Sequence, residues 1–136
     1  MVRFLGRYDE YAYAALRFVS GVFFACHGLQ KVFGLLGGAQ GAHGAALPLF
    51  TFGWFSGALE LLGVLIAVGI LTGCAAFVCS GEMAVAYFTA HAPHGFWPIQ
   101  NHGELAALYC FVFLYLATRG DGRISLGAIF RKRRSK

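Results

Sequence analysis

Charge is what this chain has least of. Of its 136 residues only 12% are Asp, Glu, Lys or Arg, and the acids number 6. A soluble domain carries about 25% charged residues, so the charge available cannot cover a water-facing surface of this size. Also absent are a Cys-x-x-Cys pair, an internal repeat and glycine at a period of three. These absences exclude a repeat array and a collagen-like chain. They leave Cys26, Cys74, Cys79 and Cys110 to read as small apolar residues in or at the ends of spans rather than as a redox pair. No flavin, haem-pair or iron–sulfur signature is present to make a self-sufficient oxidoreductase.

What is there is oil. Hydrophobic residues make up 58% of the chain and the mean hydropathy is +0.64, which excludes intrinsic disorder. The length allows one compact domain. The expectation is an all-α integral membrane protein. The net charge of +5 is no sign of nucleic acid, because much of it lies in the run Arg131-Lys132-Arg133-Arg134-Ser135-Lys136. A polar tail after an apolar segment is what membrane topology requires.

A crossing helix needs about 20 mostly apolar residues. The first such run is 11–33, interrupted by Arg17, His27 and Lys31. The Gly/Ala-rich stretch from Gly34 to Gly44, ending at Pro48, reads as a loop, small and apolar enough to re-enter the membrane. From Phe50 to His91 the only acids are Glu60 and Glu82, and one helix of that length would measure about 63 Å, twice the hydrocarbon thickness. It must turn back, and Thr72-Gly73 is the expected hinge, giving spans 50–72 and 74–91. Pro93 and Pro98 break the chain before a fourth span, 101–118. Arg3 and Arg7 precede the first span. Arg119, Arg123 and the basic tail follow the last, in 119–136. The two opposite loops hold no Lys or Arg beyond Lys31 at a helix edge. The positive-inside rule then puts both termini of a four-helix bundle in the cytoplasm. Phe24-Ala25-Cys26 offers a signal-cleavage site, but Arg17 would interrupt the apolar region and three spans follow, so the first span is read as retained.

Ionisable groups inside such spans face the bundle interior or water. Arg17, Gly21, Phe24, Gly28 and Lys31 recur at helical spacing and form one face, with His27 beside it. Gly53, Gly57 and Glu60 share a face of the second span, and the Gly-x-x-x-Gly step permits close helix approach. Glu60 and Glu82 both fall about 14 Å from the outer end, near the midplane. Lys31 is expected to pair with Glu60 or Glu104, and Arg17 to reach toward Glu82. The structural ion network expected is thus Arg17, Lys31, Glu60, Glu82 and Glu104. The same region is the candidate ligand site, His27, Lys31, Glu60, Glu82, His91 and Glu104, lined by Phe23, Phe24, Tyr87, Phe88 and Trp97. Such a pocket suggests either proton coupling or contact with a quinone as cofactor. His91-x-x-His94 with His102 and Glu104 has metal-ligand chemistry, but Pro93 breaks the helical register, and no metal is expected.

The same residues carry a resemblance. Arg17-x-x-x-Gly21 followed by His27-Gly28-Leu29-Gln30-Lys31 resembles the first-helix motif of the DoxX family. Gly57-Ala58-Leu59-Glu60-Leu61-Leu62-Gly63 with Gly69-Ile70-Leu71-Thr72 resembles its second. Met83-Ala84-x-Ala86-Tyr87-Phe88-x-x-His91 resembles its third. Pro98-Ile99-Gln100-Asn101-His102-Gly103-Glu104 and Gly120-Asp121-Gly122-Arg123-Ile124-Ser125-Leu126 resemble its fourth helix and closing turn. The resemblance implies a small four-helix protein of the prokaryotic inner membrane, in a family associated with a quinone-linked respiratory complex. The polar positions it carries over are Arg17, Lys31, Glu60, His91, Asn101 and Glu104. Two positions depart: Gly127 stands where an acid is usual in the closing turn, and His102 where a glycine is usual.

The leading functional expectation is an accessory subunit of a quinone-linked redox system, with the bilayer and a redox protein as partners. The alternatives are a quinone enzyme using His27 or His91 as proton acceptor, a small proton-coupled transporter or channel relaying through Glu60 and Glu82, and a passive assembly factor. Transport by so narrow a bundle would need a homo-oligomer.

Overall fold

A computed structural model describes residues 2–134. Among these residues the structure is all-helical, with no strand. After a single turn, α1 (Val2–Leu5), comes the long α2 (Asp9–Phe33). Asp9 and Glu10 sit in its first turn and Lys31 in its last, which matches the helix macrodipole. Gly34, at φ 68°, ends it and donates its N–H to Gln30 O at 3.1 Å. Residues 34–51 then form linked turns rather than a helix, with Ala39 buried and Leu47 N–H returned to Lys31 O at 2.8 Å.

The second apolar run is two helices, α3 (Phe52–Glu60) and α4 (Gly63–Val68). Thr51 caps α3, its Oγ1 accepting from Trp54 N–H at 3.3 Å. The break at Leu61-Leu62 is a tightened turn, with Leu62 N–H bonded to Leu59 O at 2.9 Å. The chain reverses at Gly69-Ile70-Leu71, three residues before the expected hinge at Thr72-Gly73. Gly69 ends α4 at φ 77°, a conformation open to glycine at little cost. Thr72 is instead the first residue of α5 (Thr72–Ala86). A wider π turn over Tyr87–His91 and a 3-10 turn at Ala92–His94 continue this helix.

A short turn, α6 (Pro98–Asn101), ends at His102, which adopts φ 57°. That left-handed residue moves the start of the next helix from the expected Asn101 to Glu104, giving α7 (Glu104–Arg119). A closing turn leads to α8 (Leu126–Arg134).

Helices α2, α3–α4, α5 and α7 pack lengthwise, α5 against α7 and α2 against α3 and α4. Two helical segments, Gly6–Phe33 and Thr72–His94, are long and apolar enough to cross a membrane, and Phe52–Val68 is a shorter apolar run. The core centres on Tyr13, Phe24, Ile66, Cys79, Phe113 and Leu116. Phe24 meets Phe113 edge-on at 4.7 Å between ring centroids, tying α2 to α7.

The α2 seam is made of backbone. A Cβ on Gly21 would lie 2.6 Å from Gly63 O, and one on Gly28 2.7 Å from Gly57 O. This close approach sets Lys31 against α3, because a Cβ on Gly57 would touch Lys31 Cβ at 2.5 Å.

Candidate functional site

The polar centre grows from that seam. Lys31 Nζ pairs with Glu60 Oε1 at 2.6 Å and donates to Ser56 Oγ at 3.1 Å. Ser56 Oγ in turn donates to Glu82 Oε1 at 2.6 Å. One ammonium and one hydroxyl from α2 and α3 thus bridge a carboxylate on α3 and another on α5. Glu60 is buried, its side chain 4% exposed, against 29% for Lys31. The second oxygens, Glu60 Oε2 and Glu82 Oε2, are buried without a hydrogen-bond partner among the described residues. Buried acceptors without donors cost about 1–3 kcal/mol each, so the centre favours any occupant that brings an O–H or N–H.

A groove of about 280 Å³ opens beside it, between α3 and α5. Ser56 and Glu82 are its polar lining; Phe52, Phe55, Leu59, Val78 and Val85 are its apolar walls. Those five wall residues are exposed on the outer surface of the helices.

Several expected site residues lie elsewhere. Arg17 does not reach Glu82. It is buried near the hinge, with Nη1 on Ile66 O at 3.0 Å and Nη2 on Ile124 O at 2.9 Å. It answers one carbonyl near the end of α4, where the helix dipole is negative, and one in the closing turn before α8, and Ser56 takes Glu82 instead. Glu104 is outside the network too. It is exposed in the first turn of α7 with no hydrogen bond or ion pair among the described residues, since the left-handed His102 starts that helix anew. Of the two acids weighed for Lys31, Glu60 is the one it meets.

His27 is exposed one turn before Lys31, and its ring makes no hydrogen bond among the described residues. His91 belongs to a separate knot. Its Nδ1 lies 3.1 Å from Asn101 O, and Asn101 donates to Gly95 O at 2.8 Å and accepts from Gly103 N–H at 2.8 Å. That knot fixes the turn between α5 and α7. No group of three or more His, Cys, Asp or Glu gathers in metal-binding geometry among the described residues. The aromatic lining also differs. Phe24 is core, Phe23, Phe88 and Trp97 are exposed, and Phe52 and Phe55 form the groove.

Two residues of this architecture were not read from the sequence. Ser56 lies four positions before Glu60, so helical spacing alone could have found it. Asp121 stood in the closing-turn motif, but nothing near it in the sequence pointed to its partner on α5. It accepts from Thr72 N–H at 2.9 Å, across 49 positions, and so caps α5 from the closing turn. Its Oδ2 accepts from Arg131 Nη1 at 2.6 Å. Burial pushes its carboxyl up, but the hydrogen bonds from Thr72 and Arg131 outweigh this and hold it below its ordinary value.

A family model described as DoxX matches residues 12–92, a segment that contains the whole Lys31–Ser56–Glu60–Glu82 centre. A Haemophilus influenzae protein described as uncharacterized is 39% identical over 136 residues, covering 95% of this chain and 98% of that one. A second uncharacterized protein of the same organism is 31% identical over 68 residues, half of this chain and 45% of its own. No solved structure matches.

Proposed function

Because the chain belongs to the DoxX family, we propose that it is a multi-pass inner-membrane protein that holds a quinol, as an accessory subunit of a quinone-linked redox system. The observation that carries this reading is the groove between α3 and α5. Its apolar walls are continuous with a surface of exposed Phe, Leu and Val, and its polar end is Ser56 and Glu82. An apolar exterior of this extent suits acyl chains rather than water.

An amphiphile entering sideways from the bilayer would meet apolar walls first and the acceptor last. A hydroquinone fits that order. Its ring and isoprenoid tail match Phe52, Phe55 and Val85, and its hydroxyl supplies the donor that Glu82 Oε2 lacks. Lys31 and Glu60 hold Ser56 and Glu82 in place from behind, so the centre binds and orients the head group for a partner protein.

Extraction of the protein from quinone-containing membranes into native nanodiscs, followed by mass spectrometry of the bound lipids, tests this. Wild type retains an isoprenoid quinol. Glu82→Gln, which replaces an acceptor by a donor amide, lowers retention about ten- to a hundredfold, the loss of one charge-assisted hydrogen bond. Val78→Trp fills the groove without touching the polar chain and gives the same loss. Wild-type protein that carries no quinol, or retention unchanged in both variants, defeats the proposal.

A further inference from the structure

A second concavity lies at the end of the molecule where α2 begins. It is a bowl of about 550 Å³ between the first turn of α5, the closing turn and α8. Its lining includes Leu71, Cys74, Arg119, Asp121, Arg123 and Arg131. Two of the three guanidiniums are already fixed. Arg131 is held by Asp121. Arg119 donates to Glu10 Oε1 at 2.7 Å and lies over the Tyr13 ring at 4.4 Å from its centroid. The third is open. The Arg123 backbone donates to Glu10 Oε2 at 3.2 Å, but its guanidinium has no partner among the described residues.

Three guanidiniums thus face two carboxylates, and the next turn of α8 adds Lys132, Arg133 and Arg134. Apolar surface borders the charge. Leu71 on the bowl and Leu126, Ile129 and Phe130 on α8 are all exposed. A cationic hollow beside exposed aliphatic and aromatic side chains has the two chemistries of a phospholipid, an anionic head group and an acyl region. A nucleic acid would use the charge and leave the apolar rim unexplained.

We propose that this bowl binds the phosphodiester head group of an anionic phospholipid, with the Arg123 guanidinium closing on the phosphate between those of Arg119 and Arg131. The inference rests on the chain lying in a bilayer but not on what fills the groove between α3 and α5.

The test is native mass spectrometry of the full chain from nanodiscs with equal amounts of phosphatidylglycerol and phosphatidylcholine. Wild type retains phosphatidylglycerol about tenfold over phosphatidylcholine, and Arg123→Gln falls to near parity. Cys74→Trp fills the bowl from an exposed wall position without removing charge and falls likewise, which covers the case in which Arg123→Gln lowers the unfolding midpoint. The double variant Arg133→Gln/Arg134→Gln keeps the preference, because those residues lie outside the bowl. Millimolar inorganic phosphate leaves the retained lipid unchanged. Parity in wild type overturns the proposal. So does a preference that survives both bowl variants, or one that is lost only in the α8 double variant. Displacement of the lipid by inorganic phosphate reassigns the bowl to a free anion and also overturns it. The loss of quinol from Glu82→Gln is read on a different lipid, so failure of either assignment leaves the other standing.

Discussion

Asp121 holds three parts of the chain together. It accepts from the first N–H of α5, pairs with Arg131 on α8, and stands in the closing turn itself. Around it, Arg17 binds the carbonyls of Ile66 and Ile124, and Gly127 N–H binds Gly69 O at 2.9 Å. Leu71, at φ 52°, sits inside this clamp in a conformation that L residues adopt rarely. Asp121→Ala leaves the Thr72 N–H without its acceptor, and a loss of about 1–3 kcal/mol is expected in detergent unfolding at neutral pH. Asp121→Asn can still accept from Thr72 but loses the charge. The folded carboxyl lies below its unfolded value, so its contribution is complete above the unfolded pKa and disappears as the pH falls through the folded one. The stability gap between wild type and Asp121→Asn therefore narrows as the pH drops below about 4. A gap that stays constant from neutral to acid pH would contradict this role.

Among the elements, α2 and the broken pair α3–α4 depend on glycine. Gly21 meets Gly63 and Gly28 meets Gly57, so the two backbones touch with nothing between them. In lipid there is no hydrophobic drive to press helices together, and close backbone approach supplies the van der Waals contact that replaces it. The same approach brings Lys31 within reach of Ser56 and Glu60. Gly28→Ala inserts a methyl where only 2.7 Å separates it from a carbonyl oxygen. Overpacking of this kind costs about 1–3 kcal/mol. The element-scale expectation is a lower unfolding midpoint together with weaker quinol retention, since the Lys31–Glu60 pair is pushed apart. An alanine variant that keeps both properties would show that the seam can relax without cost. The charge stripe of α2 and the place of Gly57 in the seam were legible in the sequence because both depend on helical spacing alone, whereas Gly53, the other half of the expected Gly-x-x-x-Gly step, meets Leu47 of the preceding loop and Gly63 completes the seam instead. Which acid Lys31 meets depends on how far α3 slides along α2, and that was decided by the glycine contacts.

For the whole molecule, the start of α2 and the end of α7 lie at one end. Glu10 holds Arg119 and the Arg123 backbone, and Tyr13 OH donates to Gly120 O. The exterior is rich in exposed Phe, Leu and Val along the helices, and the bases gather at that same end in Arg7, Arg119, Arg123 and α8. The proposed topology puts the start of α2 and the end of α7 on one face of the bilayer, the cytoplasmic one by the charge bias. Reporter tags at each terminus, or cysteine labelling in intact cells, are expected to locate both on the cytoplasmic face and the loop at 34–51 on the other. Tags found on opposite faces would rule out this topology.

The sequence by itself determined the helical class, the apolar segments, the family and the α2 face that carries Arg17 and Lys31. These follow from composition and from residues spaced a few positions apart, which a helix of fixed pitch converts into a face. Tertiary structure alone decided the rest. It moved the hinge to Gly69–Leu71 and began α7 at Glu104, because left-handed residues at Gly69 and His102 end the preceding helices. It turned Arg17 to carbonyls rather than to Glu82, left Glu104 and His27 outside, and joined Asp121 to Thr72. The contacts of Arg17 and Asp121 join residues far apart in the chain, and the local pattern around either partner holds no information about where the other will lie.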